Sequence, residues 1–166
     1  MILVCGGAGY VGSHMVRALV ENGEPPVVID NFRTGYRAAV HPDALFLRGD
    51  IRDRAALDAV FTNNAIDTVI HFAASTQVGE SVLKPLEYFN NNVMGMQVLL
   101  EAMAAHGIGM LVFSSSAAVY GDPDAVPIPE DATIAPTSPY GETKRMMEEM
   151  MRWVGPATGI RYVSLR

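Results

Sequence analysis

The chain carries one cysteine, Cys5, among 166 residues, so it cannot close an internal disulfide, and a reducing cytoplasm is the expected setting. Long apolar runs are also missing: none approaches the ~20 residues a membrane-spanning helix needs. No basic segment precedes an apolar stretch at the start, where glycines enter at once, so a secretory leader is not expected. Positive charge is scarce, with 12 Lys and Arg against 18 Asp and Glu and a net charge of −6. That balance disfavours nucleic acid as a main partner, because phosphate binding wants a basic face. The histidines His14, His41 and His106 lie too far apart to suggest a metal site, and His71 reads as a structural residue at a strand end. Internal repeats and low-complexity segments are absent as well.

What is present is a chain of 49% hydrophobic and 18% charged residues, enough to bury a core in one domain over residues 1–166. Short aliphatic and β-branched runs recur at Ile2 to Val4, Val27 to Ile29, Leu45 to Leu47, Thr68 to Ile70, Met110 to Phe113 and Arg161 to Leu165. Runs apolar at successive positions suit parallel strands buried on both faces. Helical spacing separates them: Val11, Met15, Ala18 and Leu19; Leu57, Val60 and Phe61; Val93, Met96, Leu99, Leu100 and Met103. Strand and helix in alternation predict an α/β fold, a doubly wound parallel sheet of the Rossmann type with helices on both faces. From Asp122 to Pro139 the rhythm breaks; five prolines stand there without helical period, and an irregular loop is expected. After the strand at Arg161 nothing follows to cap the sheet or to carry a substrate pocket.

The run Gly6-Gly7-Ala8-Gly9-Tyr10-Val11-Gly12 follows the first strand and opens the first helix. Glycines there permit a tight turn, a close approach of backbone to a pyrophosphate, and close packing of helix on strand. The helix N-terminus then presents free N–H groups to the diphosphate. A glycine pattern by itself also describes a plain turn; here the strand, the helix and a downstream acid agree. That acid is Asp30, at the end of the second strand, where a carboxylate accepts the ribose hydroxyls of NAD and repels the 2′-phosphate of NADP. The competing role for Asp30 is a strand-end turn, and Arg33 beside it complicates the choice, since arginine pairs with phosphate. NAD is the expected cofactor. Asp50 and Ile51 follow the third strand, beside the expected adenine; Asp50 either takes the exocyclic amine or caps a helix.

Tyr140 and Lys144 stand four residues apart at the start of a helix announced by Pro139, which puts both on one face. A tyrosine is a poor base at neutral pH unless a neighbouring ammonium favours its phenolate. Such a pair also arises by chance on helix surfaces. Ser114-Ser115-Ser116 ends the fifth strand, at the sheet edge where open α/β folds bind ligands. Its hydroxyls either share a proton with a substrate or bond the local backbone.

Taken in order, these segments resemble the extended short-chain dehydrogenase/reductases. The resemblance rests on Gly6 to Gly12, His71-Phe72-Ala73-Ala74, Val78-Gly79-Glu80-Ser81, Asn91-Asn92-Val93 with Gly95, Ser114 to Gly121, and Ser138-Pro139-Tyr140-Gly141 with Thr143-Lys144. It covers essentially the whole chain and is nearest to the nucleotide-sugar epimerases of that family. It implies that Ser116, Tyr140 and Lys144 form the catalytic set. It also implies that Gly6, Gly9, Tyr10, Val11, Gly12, Asp30, Asn31, Asp50, Ile51, Phe72, Ala73, Ala74 and Asn91 touch NAD. The activity implied is 4-epimerisation of a UDP-sugar through a transient 4-keto sugar, with NAD regenerated. Related 4,6-dehydratases carry an Asp-Glu pair after the serine strand, whereas here only serine and alanine stand there, which disfavours dehydration.

Two departures qualify this. Family members often have a lysine shortly after His-Phe-Ala, and here the stretch reads Ser75-Thr76-Gln77. Family enzymes also continue for about as much chain again, a part that binds the UDP and most of the sugar. A non-catalytic module that binds a dinucleotide is therefore the second reading. Methionines at 94, 96, 103, 146, 147, 150 and 151 occupy more than one face of their helices. The resemblance implies a homodimer formed by two such helices per subunit.

Overall fold

Six short parallel strands in the order β3-β2-β1-β4-β5-β6 build the sheet of the computed structural model, which describes residues 1–123 and 125–166. At its centre β1 (Ile2–Cys5) pairs with β2 (Val27–Asp30) on one side and β4 (Thr68–His71) on the other. β3 (Leu45–Arg48) lies outside β2, while β5 (Met110–Ser114) and β6 (Arg161–Leu165) extend the other wing. The order reverses between β1 and β4. At such a switch point the loops leaving neighbouring strands diverge and open a crevice at the carboxyl edge.

Alternate strand residues serve two cores. Leu3, Cys5, Val27, Ile29, Val69, Leu111 and Phe113 face α2 (Arg54–Asn63), α5 (Gly95–Ala105) and α6 (Pro139–Thr158), which contribute Leu57, Leu99, Met103 and Met147. Val4 and Val28 face the opposite way, onto Val16 of α1 (Tyr10–Glu21) with Val40 and Ala44. Both faces of the central strands are thus covered, which is why they read as unbroken apolar runs; each fully buried aliphatic contributes roughly 1.5–3 kcal/mol.

Three expectations are corrected. β3 and β6 are edge strands rather than buried ones, with Leu45 50% and Leu165 55% exposed. The inward face of α1 is Gly12 and Val16, whereas Val11 is exposed. The helical segment expected from Val93 begins earlier, as α3 (Val78–Leu83), α4 (Pro85–Tyr88) and a π-helical turn (Phe89–Met94) that runs straight into α5. The expected irregular loop includes Asp124, which lies outside the described residues; its described neighbours form no helix or strand before Pro139. Among the described residues no helix is long and apolar enough to cross a membrane.

α6 starts as the sequence dictates. Ser138 accepts the Gly141 N–H at 3.1 Å, Pro139 takes the first position, and Gly159 in the left-handed conformation (φ 79°) ends the helix.

Candidate active site

β1 delivers the chain into the glycine run, and the turn is held by Gly6 N–H to the Ile29 carbonyl at 2.9 Å and Gly9 N–H to the Gly6 carbonyl at 3.2 Å. Gly12 and Gly9 do different work. A β-carbon on Gly12 would stand 2.1 Å from the Gly6 carbonyl oxygen, so Gly12 lets α1 seat against the turn. A β-carbon on Gly9 would meet no protein atom closer than 3.4 Å; its bareness leaves space for something that is not protein. Gly9 is also the N-cap of α1 and supplies no side-chain bond, so the first N–H groups of the helix stay available.

Asp30 ends β2 and is fixed from two sides. Its Oδ2 accepts the Ala8 N–H at 3.0 Å and its Oδ1 accepts the Phe32 N–H at 2.8 Å. Both bonds come from N–H groups, so the carboxylate stays an acceptor aimed at the crevice. Asp50 does not cap α2; Asp53 does, accepting from Ala55 and Ala56. Asp50 instead receives a two-pronged bond from Arg52 (2.9 and 2.7 Å) and a further one from Asn31 at 2.9 Å. The Arg52 hydrogen bonds hold its carboxyl well below the usual carboxylate range. Ile51, 7% exposed, packs against Gly95 at the start of α5.

These groups border one cleft at the switch point. Its walls include Gly6, Gly9, Asp30, Asn31, Asp50, Ile51, Phe72, Ala73, Ala74 and Asn91, all singled out in the sequence. Tyr10 and Val11 do not line it; they sit exposed on the first turn of α1, and Tyr10 packs edge-on against His14 at 5.0 Å. Gly12 lies behind the turn as packing. Ser75, Thr76 and Gln77, the stretch that departs from the family pattern, line the cleft as well. The Ser75 hydroxyl is buried there without a protein partner, which is costly unless a ligand or water supplies one.

Ser116, Tyr140 and Lys144 gather at the same sheet edge, though none of them borders the cleft itself. Ser116 caps the turn Ala117–Tyr120, accepting the Ala118 N–H at 3.1 Å. α6 comes close enough to that turn for a β-carbon on Gly141 to stand 2.5 Å from the Ala118 carbonyl oxygen. A bare Gly141 therefore lets α6 seat against the turn that Ser116 caps. Lys144 is 3% exposed; its ammonium donates to the Ser114 carbonyl at 2.8 Å and lies 4.8 Å from the Phe113 ring centre and 5.9 Å from that of Tyr140. Burial pulls its pKa down to about 8, against the pull of Glu148 in the other direction. At neutral pH Lys144 is still mostly a cation, held over the tyrosine.

A polar relay ties this edge to the cleft wall, and sequence reasoning gave no role to its members. Asn92, fully buried in the π-helical turn, accepts the Ser75 N–H at 2.8 Å and donates to the Ser75 carbonyl (3.1 Å) and the Thr143 hydroxyl (3.0 Å). Thr143 donates in turn to the Tyr140 carbonyl at 2.7 Å. Ser81 accepts the Tyr140 N–H at 3.1 Å, satisfying one of the free donors in the first turn of α6. The only hints in the sequence were the places of Asn92, Ser81 and Thr143 in motifs beside Asn91, Glu80 and Lys144, and of Ser75 in the stretch that departs from the family.

The cleft has the features a dinucleotide requires: a bare glycine at a helix N-terminus, an acceptor-only acid at the end of β2, a shallow apolar wall at Ile51 and an unpartnered hydroxyl at Ser75. Over residues 2–166 the sequence matches the model of the NAD dependent epimerase/dehydratase family. The chain belongs to that family. Within the family it is 52% identical over 165 residues to a UDP-glucose 4-epimerase of Halalkalibacterium halodurans and 54% identical over 167 residues to one of Streptococcus mutans. Each match takes in 99% of this chain and about half of the relative (49% and 50%). A solved UDP-glucose 4-epimerase from Brucella ovis in complex with NAD superimposes with a TM-score of 0.97 at 46% identity, covering 99% of this chain and 50% of that one. One from Bifidobacterium longum in complex with NAD+ and UDP gives 0.95 at 39% identity, with coverage of 99% and 52%. The chain thus spans about half the length of the family members it matches.

His71 completes the edge. It is 1% exposed, neither ring nitrogen has a partner, and burial followed by the Lys144 charge lowers its pKa to about 3. It is a neutral structural ring against Phe113 (5.7 Å), as its strand-end position suggested. Between pH 6.5 and about 3 the unfolded chain holds a proton on His71 that the folded chain does not. Folding stability contributed by this group is therefore present above pH 6.5 and lost as pH falls through that window. From pH 7 to pH 5 we expect wild type to lose about 2 kcal/mol more than His71→Leu, read from urea unfolding. Equal losses in the two proteins would show that His71 does not stay neutral.

Proposed function

We propose that residues 1–166 form one NAD-binding domain of a nucleotide-sugar 4-epimerase, acting on a UDP-hexose such as UDP-glucose or UDP-galactose. The observation that carries this reading is the joining of the cleft wall at Ser75 to Tyr140, on the edge that also holds Ser116 and Lys144, through Asn92 and Thr143. Gly6, Gly9 and the N-terminus of α1 would hold the diphosphate, with Tyr10 and Val11 on that first turn and Gly12 behind it. Asp30 and Asn31 would take the adenosine ribose, Asp50 and Ile51 the adenine. Phe72, Ala73, Ala74 and Asn91 would line the path toward the nicotinamide.

NAD, when bound, supplies reversible removal and return of a hydride at the sugar carbon. The chain's own residues manage the proton. Tyr140 as phenolate accepts the proton of the sugar 4-hydroxyl, and the Ser116 hydroxyl steadies that oxygen by sharing a hydrogen bond. Lys144 holds its positive charge 5.9 Å from the tyrosine ring centre. Returning the proton from Tyr140 closes the cycle, so no cofactor is consumed.

The absence of acid from Ser114 to Ala118 supports epimerisation over dehydration. Sequence identity near 50% to UDP-glucose 4-epimerases supports the hexose. A cytoplasmic location fits such a substrate. We also infer a homodimer through α5 and α6. The buried Met96, Met103, Met147 and Met151 belong to the core and Met146 and Met150 are half-buried, which leaves Met94 (44% exposed), at the end of the π-helical turn that runs into α5, and Trp153 (67%) of α6 as outward apolar groups. A monomeric mass by light scattering at micromolar concentration would count against the dimer.

The direct test is to supply NAD and UDP-galactose to the purified 166-residue chain and follow UDP-glucose formation. We expect NAD to bind and turnover to be very slow, because the chain spans about half the length of its relatives and the family resemblance implies that most UDP-sugar contacts lie in the other half. Rapid turnover would overturn that division of labour.

A further inference from the structure

We propose that Glu87 is a specificity-determining residue that enforces NAD over NADP by occupying Arg33. The inference rests on the dinucleotide reading of the cleft and asks why an arginine beside Asp30 does not recruit a 2′-phosphate.

Arg33 lies on the loop after β2 and borders the cleft on the same wall as Asp30 and Asn31. Its backbone is set by an N–H bond to the Asn31 side chain at 2.9 Å, so its position is not left to chance. A free guanidinium at that place would be well suited to a phosphate on the adenosine ribose. It is not free. Its Nη2 stands 3.7 Å from the Glu87 carboxylate, which reaches across from α4.

The second arginine of this corner is committed too. Arg52 shares a small notch with Arg33, Leu86, Glu87 and Asn90. Its guanidinium is spent on Asp50 (2.7 Å at Nη2) and on the Asn90 side-chain oxygen (2.5 Å). Asp30, with both oxygens already accepting N–H bonds, adds fixed negative charge. Arg33 and Arg52 therefore each have an acid partner, while Arg48, in register with Asp30, lies over the Phe32 ring; a 2′-phosphate entering here would find neither Arg33 nor Arg52 free. Glu87 is the removable member of this arrangement: it is 54% exposed, and its other cationic neighbour is Lys84 at 3.9 Å, which also pairs with Glu80 at 3.5 Å.

Removing Glu87 should take from Arg33 its one acid partner within 4 Å, leaving Glu80 as a more distant charge, without disturbing the glycine turn. The experiment is a titration of the 166-residue chain with NAD and with NADP, read by calorimetry, for wild type, E87A, E87Q and the R33A/E87A double variant. In E87A and E87Q the NADP dissociation constant should fall relative to that of NAD by about fivefold, with NAD affinity itself little changed. The gain should shrink as salt is raised, because the new contact is a half-exposed ion pair. In R33A/E87A it should vanish. An unchanged NADP-to-NAD ratio in E87A, with NAD still bound, overturns the proposal and leaves the dinucleotide site standing. A gain that persists in the double variant assigns the effect to Lys84 or to net charge and also overturns it. Failure of wild type to bind NAD removes the site reading and the proposal together.

Discussion

Gly12→Ala is expected to unfold or severely destabilise the protein, by roughly 3–5 kcal/mol against a typical total of ~5–15 kcal/mol. The added carbon would stand 2.1 Å from the Gly6 carbonyl oxygen and 2.9 Å from the Gly7 Cα, both backbone atoms that cannot rotate away. Relief would require α1 to lift from the turn. That would pull Val16 away from Val28 and open the smaller of the two cores. Gly79→Ala is the matched control: it lies in α3 with nothing within 4 Å of an added carbon. There the helix should gain up to about 1 kcal/mol. Urea unfolding of the two variants separates a packing requirement at Gly12 from a general intolerance of alanine. Similar midpoints would show that the close approach at Gly12 is not real.

Lys144→Met should do the opposite, raising stability while impairing the site. Burial lowers the Lys144 pKa from 10.5 to about 8, so holding the ammonium in place at neutral pH costs about 3 kcal/mol. Methionine fills a similar volume without charge. Part of the gain is lost because the Ser114 carbonyl forfeits its donor, which leaves a net increase of about 1–2 kcal/mol. The pH dependence identifies the cause. Below pH 8 both folded and unfolded wild type carry the charge, and the penalty is complete. Between pH 8 and 10.5 the folded lysine is neutral while the unfolded one still binds its proton. Wild-type stability therefore rises with pH across that window, and the advantage of Lys144→Met should narrow. A variant less stable than wild type at pH 7 would mean that Lys144 supports the fold. The observed geometry instead describes a buried ammonium maintained at the expense of stability.

Parts of this account were legible in the sequence because they are local or periodic. The apolar runs of β1, β2, β4 and β5 are continuous because these strands are covered on both faces, and the glycine turn sits between a strand and a helix. β3 and β6 share the same vocabulary, yet composition alone cannot say which strands end at an edge. α3, α4 and the π-helical turn escaped notice because they are short and carry few periodic apolar positions. The relay through Asn92 was invisible for a different reason. Asn92, Ser75 and Thr143 meet through side-chain bonds between distant segments, and nothing about a single asparagine announces that it will be buried. Asp50 shows the same limit: as a helix cap or as an adenine contact it reads alike, and the structure gives the cap to Asp53. Arg33 complicates the cofactor choice in the sequence, where nothing announces that Glu87 stands 3.7 Å from it.

The central claim is that the cleft under Gly9 receives the diphosphate of NAD, and Gly9→Val tests it most directly. An added β-carbon there meets no atom closer than 3.4 Å, and Gly9 already has an ordinary extended conformation (φ −78°, ψ 174°), so the fold should survive. Calorimetric titration with NAD should show saturable binding to one site in wild type. In Gly9→Val the unfolding midpoint should hold and binding should fall by at least about a hundredfold, since the added methyls occupy the space the diphosphate needs. Undiminished NAD binding by a folded Gly9→Val protein would contradict the account.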